Sequence, residues 1–275
     1  MNPLNYILPY FSNIIKPNWT VYKDIPYGVS KSETADLYLL NRGVRPVVVF
    51  IHGGGWSAGD KSAYEGRARR YALAGFHVIA INYRLATYED KTTQWPAQFQ
   101  DVQNAIRWVR SNAVNFRIDP NRIGVGGDSA GGHLALMVGA NPNTIPGDRS
   151  HLHSNFSPSA SCILDVFGPC DLGGAKMKDL IGVLPLFNNT TYEQNPGLYQ
   201  SASPIYAVTA LFPPTCIIHG TKDDIVPYAQ SVMVATKLNQ LGVYHKFYTF
   251  DGGHELKDTS LEMKGLDFMR SVLKP

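Results

Sequence analysis

Ser129 stands at the centre of Gly127-Asp128-Ser129-Ala130-Gly131, and its neighbours say what its hydroxyl could do. A short apolar run at 122–126 leads in and a helix-forming run at 133–138 leads out. Strand, tight turn and helix with serine at the apex is the setting of a nucleophile elbow. Such a turn lifts the hydroxyl off the strand end and sets it at a helix N-terminus, where the dipole favours negative charge. The turn has no room for side chains two residues before or after the serine, a demand that Gly127 and Gly131 meet. A serine at a helix start is more often a plain N-cap, but the glycine frame and the apolar strand argue against that role here.

A serine that attacks a carbonyl needs a base, an acid to orient the base, and donors for the oxyanion. The base is expected at His254, in the Gly-rich stretch Phe250-Asp-Gly-Gly-His254-Glu255 that follows a strand-like run at 244–250. His245, inside that run, is the weaker candidate. An unperturbed imidazole, with a pKa of about 6.5, can take the serine proton at neutral pH. The acid is expected after the run at 215–219, where Gly220-Thr-Lys-Asp223-Asp224 offers two aspartates. Asp224 also reads as an acid at a helix N-terminus, and Asp165 and Asp171 are fallbacks. The oxyanion donors are expected from His52-Gly53-Gly54-Gly55-Trp56, after a buried strand at 47–51. Gly54 and Gly55 supply two N–H groups and Ala130, after the serine, a third. A phosphate loop is excluded because the Gly-Lys-Ser/Thr ending is missing. His52 is expected to brace this loop, His133 to pack under the elbow helix and His219 to end a strand. His151 and His153 have metal-like spacing but no third ligand, so they read as a polar loop and no metal site is expected.

These groups must be carried by a scaffold. Continuous apolar runs at 47–51, 76–81, 123–126, 161–167 and 215–219 read as strands buried on both faces. Helical patterns at 62–74, 96–112, 226–241 and 256–273 alternate with them. Phe99, Val102, Ile106 and Val109 share one face of the second, and Pro96 suits its first position. The alternation predicts an α/β fold: a mostly parallel central sheet with helices on both faces. Runs at 21–27 and 35–40 predict an antiparallel N-terminal strand pair. One catalytic domain at 21–275 is expected, with a small cap insertion at 171–200, where a Gly-, Asn- and Pro-rich stretch breaks the rhythm. The segment 1–20 is a second candidate cap.

The 275 residues carry 25 basic and 22 acidic side chains, a net charge of +3. That balance is too mild for a nucleic-acid or anionic-membrane partner, and no Lys/Arg-rich block appears. The N-terminus has no basic leader region and no small-residue cleavage site, so a signal peptide is not expected. Three cysteines without a Cys-x-x-Cys pair point to a reducing, cytoplasmic compartment. Trp56, Tyr83 and Phe167 are candidate pocket residues, with Trp95 and the run at 184–187 behind them.

With these residues in view, the chain resembles the α/β-hydrolase serine esterases. It is most similar to the hormone-sensitive-lipase-like carboxylesterases and their bacterial feruloyl/acetyl esterase branch. The resemblance runs from about residue 21 to the C-terminus. It rests on His52-Gly-Gly-Gly-Trp56, Gly59-Asp-Lys61, Asn82-Tyr-Arg-Leu85, Gly127-Asp-Ser-Ala-Gly-Gly132, Ser203-Pro204 and His219-Gly-Thr-Lys-Asp-Asp-Ile-Val-Pro227. In that family the acid stands three residues after the glycine of the last motif, which implies Asp223 rather than Asp224. Ala86-Thr87-Tyr88 and Cys170 depart from the family pattern and bear on substrate. The resemblance implies a cofactor-free esterase acting on small-molecule esters, with a homodimer left open; the small insertion leaves little covering over the site, which points to short or aryl acyl groups. The alternatives are an amide hydrolase, either kynurenine-formamidase-like or a small peptidase, and a non-catalytic receptor on the same fold.

Overall fold

The computed structural model describes residues 18–140, 153–174, 177 and 182–275. The candidate cap at 1–20 lies almost wholly outside the described residues, as do His151 and residues 175, 176 and 178–181 of the 171–200 insertion.

The first half of the chain forms β1 (Trp19–Pro26), β2 (Thr34–Leu40), β3 (Arg45–Ile51), α1 (Glu65–Leu73), β4 (His77–Ile81), α2 (Ala97–Ser111), α3 (Ala113–Phe116), β5 (Ile118–Asp128) and α4 (Ala130–Ala140). The second half forms β6 (Cys162–Val166), α5 (Val183–Leu186), α6 (Pro196–Ser201), β7 (Thr215–Gly220), α7 (Ala229–Gln240), β8 (His245–Phe250) and α8 (Thr259–Leu273). The strands make one sheet in the order β1-β2-β4-β3-β5-β6-β7-β8. β2 pairs antiparallel with both β1 and β4, and every pairing from β4 to β8 is parallel.

A parallel sheet must be covered on both faces, and the side-chain period of two divides each strand between two layers. Val47, Val49 and Ile51 of β3 pack into a core with Phe99, Val102 and Ile106 of α2, Leu134 of α4 and Leu238 of α7. Val48 and Phe50 point the other way, into a core with Tyr71 of α1 and Leu266 and Met269 of α8. Reactive groups at the C-terminal strand ends therefore sit on a rigid double-sided scaffold.

Four helix starts differ from the sequence expectation; α1 begins at Glu65, not 62, because residues 61–64 form a 3-10 turn capped by the Asp60 side chain. α2 begins at Ala97 with Pro96 as the residue before it. α7 begins at Ala229, not 226, because the Asp223 carboxylate takes the N–H groups of Ile225 and Val226 and holds that stretch as a turn. α8 begins at Thr259, where the Asp258 side chain caps the N–H of Ser260. Cys162, Cys170 and Cys216 are buried free thiols. Among the described residues no helix is long and apolar enough to cross a membrane.

Candidate active site

β5 ends at Asp128 and α4 begins at Ala130, so Ser129 alone makes the turn, with φ of +53°. That left-handed backbone is uncommon for a residue with a side chain and is fixed here from both sides. The Ser129 N–H donates to the Val166 carbonyl of β6 at 2.9 Å, and the Ser129 carbonyl accepts the His133 N–H at 2.9 Å. A Cβ on Gly127 would lie 2.3 Å from the Gly131 carbonyl carbon, and one on Gly131 would lie 2.0 Å from the Ile51 oxygen. The glycine frame is thus a steric requirement of the elbow packing onto β3.

The loop after β3 folds against this turn. A Cβ on Gly53 would meet Asp128 Oδ2 at 2.8 Å and Ser129 Cβ at 3.3 Å. Gly54, at φ of +113°, accepts the N–H groups of Ser57 and Ala58 on its carbonyl. Gly54 and Gly55 border the same cleft as Ser129, and Ala130 is buried at the start of α4. Trp56 anchors the loop from beneath, its Nε1–H donating to His133 Nδ1 at 3.1 Å. His52 accepts Tyr83 Oη–H on its carbonyl at 3.0 Å, and its ring nitrogen bonds the Gly53 carbonyl at 2.7 Å. Burial lowers the His133 pKa to about 4, against the bond to the Ala202 carbonyl, so this imidazole stays neutral as a packing group.

The remaining groups come from the loops after β7 and β8. His254 Nδ1 lies 2.6 Å from Asp223 Oδ2, and His254 Nε2 lies 2.9 Å from Ser129 Oγ. A ring nitrogen facing a carboxylate carries the proton, which leaves Nε2 to accept the Ser129 hydroxyl. The Asp223 side chain is fully buried. Burial opposes its ionisation, but the nearby His219 and His254 imidazoles and the Val226 N–H outweigh that and hold the carboxyl well below the usual carboxylate range. Asp224 is exposed, and Asp165 is buried in β6. His245 bonds the Val243 carbonyl at the far end of β8.

Two candidate pocket residues do not reach the cleft. Trp56 and Tyr83 are each 1 % exposed and brace the loop instead. Large aromatics beside a motif read as pocket or as core from sequence alone, and here the hydrogen bonds to His133 and His52 claim them for the core. Trp95 stacks on Phe99, and Phe187 packs on Tyr199. Phe167 does line the cleft, its ring 4.4 Å from that of His254.

The cleft holds about 540 Å³. Its far wall, which sequence reasoning missed, comes from α1 and α8. Arg67 and Arg70 both bond Glu262, at 2.8 and 2.5 Å, and the Arg67 guanidinium lies 4.9 Å over the Tyr64 ring. Tyr64 in turn donates to Asp128 beside the serine. The pairing spans 192 residues or more, so no local pattern announces it. Among the described residues no group of three His, Cys, Asp or Glu side chains could hold a metal.

The BD-FAE family model matches residues 35–238. The chain belongs to the BD-FAE family. The BD-FAE match runs from β2 into α7 and takes in the loop after β3, the elbow and Asp223; His254 lies beyond it. Mycobacterium tuberculosis esterase LipC is 30% identical over 75% of this chain and 54% of its own length. Esterase LipQ of the same organism is 33% identical over 80% of this chain and 53% of its own. The chain thus spans about half the length of the curated relatives it matches. A solved structure described as a truncated carbohydrate esterase from gut microbiota superposes with a TM-score of 0.85 at 28% identity, over 94% of this chain and 99% of that one. The fold of this BD-FAE member is the α/β-hydrolase fold.

Proposed function

We propose that the protein is a serine carboxylesterase that cleaves short-chain or aryl esters through an acyl-enzyme on Ser129. The observation that carries the proposal is the position of the His254 ring, within hydrogen-bond reach of Ser129 Oγ on one side and Asp223 Oδ2 on the other. The relatives named as esterases support the same chemistry. His254 Nε2 takes the hydroxyl proton as Ser129 Oγ bonds the ester carbon. The tetrahedral oxyanion is stabilised by N–H groups of Gly54, Gly55 and Ala130, and Asp223 stabilises the imidazolium. Collapse breaks the carbon–oxygen bond, the departing alkoxide takes the proton from His254, and water repeats the sequence to free the acid. No cofactor enters any step.

The cleft suits a small acyl group beside Phe167 and a hydroxyl-bearing alcohol against the wall of Tyr64, Arg67, Arg70 and Glu262, whose donors and acceptors match sugar hydroxyls. The carbohydrate esterase neighbour supports that alcohol class. The small cap enters this proposal through residue 182, which packs onto Gly55. The test is a panel of esters with varied acyl length and alcohol, beside matched amides. Acetyl or aryl esters of a sugar should lead, and Ser129→Ala should abolish their turnover. Preference for long acyl chains, or amides cleaved faster than esters, would overturn it.

A further inference from the structure

Asp223 is held by more than His254. Its Oδ1 accepts the N–H groups of Ile225 at 3.0 Å and Val226 at 2.8 Å. Its Oδ2, which faces His254 at 2.6 Å, also lies 3.2 Å from Nε2 of a second imidazole, His219, at the end of β7. His219 is completely buried. Its Nε2 faces only acceptors, that carboxylate oxygen and the Val226 carbonyl at 3.0 Å, so Nε2 carries a proton. Its Nδ1 lies 2.7 Å from Ser231 Oγ on α7, where the hydroxyl can donate and fix the tautomer. Phe167 wedges between the two imidazoles, 6.2 Å from the His219 ring and 4.4 Å from that of His254.

We infer that His219 is a positioning residue for the acid. It shares its Nε2–H between the Val226 carbonyl and Asp223 Oδ2, which restrains the rotation of the carboxylate toward His254 and withdraws part of the charge that His254 meets. The inference rests on the proposed esterase mechanism. Its consequences run in two directions. Without the His219 donor the carboxylate is free to rotate, which misaligns His254 and slows turnover. The carboxylate charge that remains is shared with one imidazole instead of two, which favours the protonated form of His254. The other titratable or charged groups around this cluster are Tyr228 of α7, whose ring meets His219 edge-on at 5.7 Å, Asp224, Asp251, Glu255, Lys257 and Asp258 from the loops beside His254, and Tyr64, Arg67, Arg70, Asp128 and Glu262 across the cleft. None of these changes in the variants below.

The test compares His219→Leu, His219→Gln and Ser231→Ala with the wild type in the hydrolysis of p-nitrophenyl acetate from pH 5 to 9. The Gln amide nitrogen reaches about as far from Cβ as the ring Nε2 and keeps the donor. His219→Leu should lower kcat about tenfold, the scale of one hydrogen bond to a charged group, with KM nearly unchanged. It should also move the acid limb of the rate upward by about half a pH unit. His219→Gln should restore both toward wild type. Ser231→Ala should move both in the same direction as His219→Leu, by less, and it serves if His219→Leu does not fold. Loss of rate without displacement of the acid limb, equally in the Leu and Gln variants, would reduce His219 to a packing residue and overturn the inference. Failure of the esterase proposal would show differently, as a wild-type protein with no serine-dependent turnover.

Discussion

Two buried aspartates at the ends of neighbouring strands have opposite fates, and the difference teaches what makes a carboxylate useful. Asp165 in β6 and Asp223 after β7 both have completely buried side chains. Asp165 Oδ1 accepts one N–H, from Gly168 at 2.9 Å, and Oδ2 has no hydrogen-bond partner among the described residues. Burial therefore wins, and its pKa is pushed up to about 8. Asp223 is met by two backbone N–H groups and two imidazoles, and is held ionised. Burial is common to both; the number of donors is what differs.

The comparison can be broken most sharply by removing the charge at each position. Asp223→Asn should reduce kcat/KM on the order of 10³–10⁴-fold, because an amide can present its N–H to His254 and force the wrong tautomer. Asp165→Asn should leave turnover within a few-fold, since that side chain is already neutral at pH 7. Steady-state kinetics on purified variants decides it, and comparable losses at both positions would erase the distinction.

The two carboxylates also differ in how they make stability depend on pH. The Asp165 pKa is raised in the folded state, so between about pH 4 and pH 8 the unfolded chain releases a proton that the folded one keeps. Stability carried by that proton falls as pH rises through this window and is level above it. Asp165→Asn should therefore gain on the wild type by on the order of 1 kcal/mol per pH unit between pH 5 and 8. Urea unfolding at both pH values measures the gain, and a constant difference would show that Asp165 is ionised when folded. Asp223 is depressed instead. Its contribution is complete above the ordinary carboxylate range and is lost only in strong acid. The acid limb of kcat/KM should accordingly exclude Asp223 and report a single proton, and a limb of slope two would place Asp223 in it. The smallest effect belongs to Asp224→Asn, an exposed neighbour whose loss should change kcat/KM by less than about threefold.

What the sequence reveals follows from the range of the interactions. The elbow was legible because its constraint is local and steric: Gly127 and Gly131 are required by contacts within one turn and with the adjacent β3. The mostly parallel sheet followed from buried runs alternating with helices, whereas the strand order, with β4 between β2 and β3, had no signal in the run pattern. In the loop after β3, Gly54 answers to a local steric demand as well, since a Cβ there would lie 2.2 Å from the Ala58 carbonyl oxygen. Side-chain assignments fared differently where two plausible partners competed. Trp56 and Tyr83 look like pocket aromatics until His133 and His52 appear as their partners. The wall of Arg67, Arg70 and Glu262 depends on α8 returning to α1 across most of the chain. His219 reads as an ordinary strand terminus, although its place four residues before Asp223 was the available signal. Helix starts shifted where a side chain took the first N–H groups, as Asp223 does before α7.

The central claim is that Ser129 is the atom that attacks. Mass spectrometry of the protein after an organophosphate tests it most directly. The account predicts one adduct, on the peptide carrying Ser129, formed in step with loss of esterase activity and absent from Ser129→Ala. An adduct on another residue, or full inhibition with Ser129 unmodified, would contradict it.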